Sequence, residues 1–283
     1  MKNLLLLISI FFFSDVANAQ NFHLNLFAGT SNYQGDLQDK RFTFSQGHFA
    51  GGVGLSYDLT DHFSLRTGIL FGKVAADDKL GRNNIRNLNF TSNLTEGNLG
   101  LEYYITPLQD HALTPYLFGG LAVYHFDPYT HDTSGNKFYL KPLSTEGEGF
   151  IEGKKNYKLT QLAIPFGGGI KLSLSENINV GLELGFRKLF TDHLDDVSGD
   201  FVDQSLLLAN RGSKAVELAY RNDELKGGSP LYPPAGTQRG SAKNKDWYYF
   251  SGVTVSFRLG NGNSSGRPNL GRHSQYGCPV NVR

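Results

Sequence analysis

Eight stretches of this chain alternate apolar and polar residues over lengths that strands of soluble proteins seldom reach, and the connections between them alternate between short and long. The stretches run Phe22 to Thr30, His48 to Leu59, Phe63 to Val74, Leu88 to Ile105, Tyr116 to Phe126, Leu159 to Leu174, Ile178 to Phe190 and Trp247 to Leu259. A tilted strand needs about 9 to 11 residues to cross a bilayer, whereas soluble strands average about 5 to 6. Because side chains of a strand point alternately to its two faces, each stretch sorts its residues into two sets. In the third, Phe63, Leu65, Ile69 and Phe71 oppose Ser64, Arg66, Gly68 and Gly72. In the seventh, Ile178, Val180, Leu182, Leu184 and Phe186 oppose Asn179, Gly181, Glu183, Gly185 and Arg187. The fourth sends Leu99, Leu101 and Tyr103 one way and Glu96, Asn98 and Glu102 the other, and the eighth sets Trp247, Tyr249, Val253, Val255 and Phe257 against Gly252, Thr254, Ser256 and Arg258.

A soluble sandwich also alternates, but it hides its apolar face under a second sheet. The connections separate the two architectures. Those after the second, fourth and sixth stretches are Thr60-Asp61-His62, Thr106 to Thr114 and Ser175-Glu176-Asn177, and the other four are longer. Short inner turns and long outer loops are the division found in outer-membrane barrels, and an even strand count returns both termini to the periplasm. The expected fold is therefore all-β: an eight-stranded antiparallel transmembrane β-barrel of the outer membrane over residues 20–259, with long extracellular loops. A signal peptide is expected over residues 1–19, from Lys2, the apolar run Leu4 to Phe13 and the small-residue site Ala17-Asn18-Ala19. That run is too short for a spanning helix. No cysteine follows it to carry a lipid anchor.

Composition agrees. Aromatic residues make up 13% of the chain, 21 Phe and 14 Tyr, and there are 34 Gly, a bias that suits aromatic girdles and close strand packing. The 27 basic against 26 acidic residues leave no surplus for a nucleic-acid surface. An eight-stranded barrel has an interior just wide enough for side chains. The inward positions carry Arg66, Glu96, Glu102, Lys171, Glu183, Arg187 and Arg258, near charge balance, so a plug of ion pairs is expected rather than an open pore.

No enzyme, cofactor or metal site is expected. The histidines, at 23, 48, 62, 111, 125, 131, 193 and 273, show no ligand spacing. His125 suits a polar girdle better than the base of a lipid hydrolase. Gly167-Gly168-Gly169 lies within a strand and suits close packing rather than a phosphate cradle. The acids Asp192, Asp195, Asp196, Asp200 and Asp203 lack the order of an EF-hand loop and suit turn and helix caps more than Ca²⁺ ligands. Ser205 to Leu208 and Lys214 to Leu225 have helical composition, and Gly227 to Gly240 has that of a flexible return. A periplasmic tail is expected over residues 260–283, containing the chain's one cysteine, Cys278, with Tyr276 and Pro279 beside it. A lone thiol in an exported chain is either incidental or joins another molecule.

The stretch Asn32-Tyr33-Gln34-Gly35-Asp36-Leu37, the run Asp195-Asp196-Val197-Ser198-Gly199 followed by Phe201-Val202-Asp203, and the terminal Cys278-Pro279 resemble the outer-membrane barrel family of the Bacteroidetes that includes PorG of the type IX secretion system. Phe201 stands where that pattern suggests Tyr. The resemblance implies a non-enzymatic barrel that ties a periplasmic ring of a PorK-like lipoprotein and a PorN-like protein to the outer membrane. It also implies that the tail makes the contacts, with Tyr276, Cys278 and Pro279 as the candidate residues and a Cys278 disulfide to the partner as one of the two readings of that thiol.

Overall fold

The computed structural model describes residues 21–38, 46–81, 83–108, 110–243 and 245–260. The expected signal peptide and the tail contacts Tyr276, Cys278 and Pro279 lie outside the described residues. Ten strands follow in chain order: β1 Phe22–Gln34, β2 His48–Asp58, β3 Phe63–Asp77, β4 Asn89–Tyr104, β5 Leu113–His125, β6 Pro128–His131, β7 Lys137–Tyr139, β8 Thr160–Ser173, β9 Ile178–Leu189 and β10 Trp247–Arg258. Eight form the wall in the order β3-β2-β1-β10-β9-β8-β5-β4, and β3 pairs with β4 to close it. Every neighbouring pair is antiparallel. The eight expected strands are all present, from 11 residues in β2 to 16 in β4.

The hairpin β6–β7 was not expected. It adds to β4 where that strand outruns β5, through Thr91↔Tyr129 and Ser92↔Pro128. Pro165 sits inside β8 although proline has no N–H for a ladder. Pairing with β5 lapses there, between Gly119↔Phe166 and Ala122↔Ala163, and resumes in the same register.

The outer face is built for lipid. Leu26, Val53, Ile69, Leu99, Leu117, Leu121, Leu162 and Leu182, drawn from seven wall strands, are between 43% and 67% exposed. Water-soluble monomers rarely carry so continuous an apolar surface. Aromatic pairs mark the short-turn end, Phe22 with Tyr57 at 4.7 Å and Phe63 with Tyr103 at 5.1 Å between ring centres. A second cluster, Phe166 with Trp247 at 5.9 Å and Phe186 with Tyr249 at 5.8 Å, lies further along the wall. No helix among the described residues is long and apolar enough to cross a membrane.

The lumen is filled as the inward charges suggest. Arg66 forks onto Glu183 at 2.8 and 3.1 Å and reaches Glu102 at 3.3 Å. Lys171 also bonds Glu102, and Arg187 forks onto Glu96 at 2.9 and 3.1 Å. Three carboxylates thus meet three cations, and tyrosine hydroxyls complete the shells: Tyr116 donates to Glu183 at 2.8 Å and Tyr248 to Glu96 at 2.8 Å. Phe118 and Phe250 lie under the guanidinium groups of Arg66 and Arg187 at 4.4 and 4.5 Å. Burying charge is costly unless it is paired and hydrogen-bonded, and each of these groups is.

Candidate functional site: a folded cap over the long-loop end

Opposite the short turns, the long loops fold together into a cap. Asp203 starts its helical part. Its carboxylate accepts from the backbone N–H of Ser205 at 2.9 Å and of Leu206 at 3.0 Å, which caps α1 Gln204–Arg211. Gly212, at φ 82°, ends α1 and leads into α2 Ser213–Ala219. Val202, Leu207, Ala215 and Ala219 form a small core there, packed by Phe150, Ile151 and Tyr232. Residues 227–240, expected as a flexible return, are pinned: Gly236 and Arg239 donate N–H bonds of 2.9 and 2.8 Å to Phe201 and Gly199. The proline and glycine that suggested flexibility instead let this segment turn closely against residues 199–201.

Beneath this layer lies a buried polar network. The Tyr33 hydroxyl, at the end of β1, is 2.6 Å from Asp195 Oδ2 and 3.1 Å from Asp246 Oδ1. Both carboxylates also take backbone donors, Asp195 from Val197 at 2.9 Å and Asp246 from Leu194 at 2.9 Å. Gly35 is required beside them, because a Cβ there would stand 2.0 Å from the Tyr33 hydroxyl and 2.1 Å from Asp246. Asp36 accepts from the Ser241 N–H at 2.6 Å, and its carbonyl accepts from Arg86, which also forks onto Asp78 at 2.7 and 2.8 Å. Asp196 accepts from the hydroxyls of Thr145 and Tyr157, each at 2.7 Å. Arg239 ties the centre together, donating to the Asp196 carbonyl at 2.6 Å and to Glu146 at 2.9 Å. Glu146 in turn accepts from the N–H groups of Ser198 at 3.0 Å and Gly199 at 2.7 Å.

Of the residues that carry the family resemblance, Tyr33, Gly35, Asp36, Asp195 and Asp196 thus converge. Asn32 is buried, but its amide reaches only Thr30, at 3.4 Å, and does not join them. Two of the five loop acids behave as caps, Asp195 for a local turn and Asp203 for α1. Asp200 is exposed and pairs through its backbone with Gln238, so the five do not form one cation site. Glu146, Glu148 and Arg239 carry no signal in the sequence, and the Arg239 bond to Glu146 spans 93 positions. Asp246 alone had a clue, as a carboxylate set directly before a strand.

Among the described residues of the cap, buried carboxylates outnumber buried cations, and burial shows in their chemistry. Burial, with the nearby charges of Asp196 and Glu146, pushes Glu148 up to about 7. Burial likewise brings Asp192 to about 7 and Asp196 to about 6. Asp195 and Asp246 are held well above the usual carboxylate range, first by burial and then by neighbouring acids. Burial pushes the His193 imidazole down. Ligand atoms of Glu146, Glu148 and His193 lie within 4.8 Å of one another. His125 faces outward and meets the Thr160 hydroxyl of the adjacent strand at 2.9 Å, with no serine in that contact.

A closed, eight-stranded antiparallel wall, an apolar outer face and a charge-paired lumen define an outer-membrane β-barrel. Within that class, the chain matches the family described as Domain of unknown function (DUF6089) over residues 2–207, and it belongs to that family. Comparison with curated proteins finds no match. Among solved structures, Neisserial surface protein A shares 9% identity over 84% of this chain and 96% of its own, at a TM-score of 0.41. A major outer membrane protein from Thermus thermophilus shares 14% over 83% and 98%, at 0.40. OprG from Pseudomonas aeruginosa shares 10% over 84% and 97%, at 0.39. The fold assignment rests on this chain's own strand register and surface.

Proposed function

We propose that this protein is a non-enzymatic, non-conducting barrel that serves as a structural component of the type IX secretion machinery, with both termini in the periplasm. In this reading it ties a ring of PorK-like lipoprotein and PorN-like periplasmic protein to the outer membrane. The observation that carries the structural role is a lumen filled by the Arg66, Lys171 and Arg187 ion pairs beneath a folded cap. A barrel sealed in this way suits a rigid anchor and not a solute path. The assignment to type IX secretion rests on the motif resemblance, and five of its residues meet in the cap.

The direct test is a pull-down from mildly solubilised outer membranes without reductant, beside a Cys278→Ser variant. A reductant-sensitive adduct with a periplasmic lipoprotein, lost in the variant, supports the anchor. A deletion strain that secretes its cargo normally would sink it. The second reading is a stand-alone barrel that binds a partner at the cell surface. It is favoured by a cleft of about 460 Å³ in the cap, lined by Asp36, Ile85, Arg86, Phe201 and Tyr220 among others. That reading predicts a barrel that comes down alone in both forms.

A further inference from the structure

We propose that the cap holds a divalent transition-metal cation, of which zinc is the type, between Glu146, Glu148 and His193. The two carboxylates are 3% and 4% exposed, so this is not a solvated acidic surface. The His193 ring is held by its stack on Tyr157, 4.8 Å between centres and 10° from parallel, which leaves its in-plane nitrogens clear of that contact. Its Nδ1 is buried and has no hydrogen-bond partner. The neighbouring Asp192, 2% exposed, likewise leaves Oδ1 buried and without a partner. Asp192 is linked to the cluster because its Oδ2 accepts from the Ser198 hydroxyl, while the Ser198 N–H donates to Glu146. A buried imidazole nitrogen and, on the neighbouring residue, a buried carboxylate oxygen, both without a hydrogen-bond partner, are the kind of groups a cation would satisfy.

Charge points the same way. Glu146, Glu148, Asp192 and Asp196 surround the spot, and Arg239 and Lys154 answer them, with Lys245 near Asp192 but exposed to water. Glu146 Oε1 is already saturated by Ser198 and Arg239, whereas Oε2 holds one bond, from Gly199, and keeps a lone pair. Glu148 carries one bond, from the Glu146 N–H at 3.2 Å. Ligands at about 2.1 Å from a common ion stand at most about 4.2 Å apart, and the three ligand atoms, all within 4.8 Å of one another, need only a small side-chain adjustment to reach that spacing. The imidazole selects zinc-like ions over calcium, which prefers an all-oxygen shell. Asp192, His193 and Ser198 face a cavity of about 610 Å³, which gives an ion its way in.

The test uses the full-length mature chain in detergent, stripped with chelator, in a Cys278→Ser background so that the thiol cannot bind zinc. Equilibrium dialysis against zinc chloride should load one ion per chain. Glu148→Gln and His193→Gln, each checked for a folded barrel by heat-modified gel mobility, should bind at least about tenfold more weakly. Cobalt loaded into the same Cys278→Ser background, with the site unchanged, gives a second readout, a visible spectrum of mixed nitrogen and oxygen ligation. Native chains that take up no zinc, variants that bind as tightly as the native chain, a cobalt spectrum like that of the aqueous ion, or displacement of zinc by equimolar calcium would each overturn the proposal.

Discussion

A phenol carries one proton, yet Tyr33 lies within hydrogen-bond distance of two carboxylates. Its hydroxyl can satisfy one of them. The other contact needs a proton on the carboxyl side, which agrees with the raised values of Asp195 and Asp246. Tyr33→Phe removes the bridging group and leaves two buried acids facing each other. The expected cost is about 1 to 3 kcal/mol, seen as faster limited proteolysis within residues 190–246 while the wall strands stay intact. Gly35→Ala should do the same by pushing Tyr33 out of place. In the lumen, Arg187→Met leaves Glu96 buried with only the Tyr248 hydroxyl and Asn98 as donors. That single change is expected to cost about 3 to 5 kcal/mol, and the double change Glu96→Leu with Arg187→Met should recover much of it, because removing both charges also removes their desolvation. Urea titration of the barrel in detergent measures both.

At the level of elements, the wall was legible because lipid outside and ion pairs inside impose opposite demands on alternate residues, a pattern that runs the length of each strand. Ile178 to Phe186 and Phe63 to Phe71 showed it without help from any partner. The hairpin β6–β7 was not legible, since strands of 4 and 3 residues are too short to show a period. The helices were half legible. The helical composition of Ser205 to Leu208 and Lys214 to Leu225 indicated them, but Gly212 divides the segment after Arg211 and the second helix stops at Ala219, before Leu225. Asp203→Ala is expected to raise the rate of cleavage between residues 204 and 219 and to leave barrel unfolding unchanged, because α1 loses two N-terminal hydrogen bonds and the wall loses none. The polar centre of the cap could not be read from sequence: Arg239 meets Glu146 across 93 positions and Tyr33 meets Asp246 across 213, and no local pattern encodes either pairing.

For the molecule as a whole, the surplus of buried acids sets how the cap responds to pH. Glu148 and Asp192 titrate near 7 and Asp196 near 6 when folded, against ordinary values of 4.5 and 3.8. The folded cap therefore holds more protons than the unfolded one between about pH 4 and 7, and its stability falls as pH rises through that window. With chelator present, proteolysis of residues 190–246 should accelerate from pH 5 to pH 7.5, provided that rates are corrected for the protease's own pH dependence. The sealed lumen predicts no conductance steps in planar bilayers for the native chain. Tyr33 and Asp246 also lie on either side of the place where the first and last wall strands meet, Gln34 opposite Trp247. The bond between them therefore forms only after the final strand has docked on the first. Resistance of the last loop to a protease is thus expected to report that the barrel has closed, and chains with the final strand undocked are expected to be cut within residues 190–246.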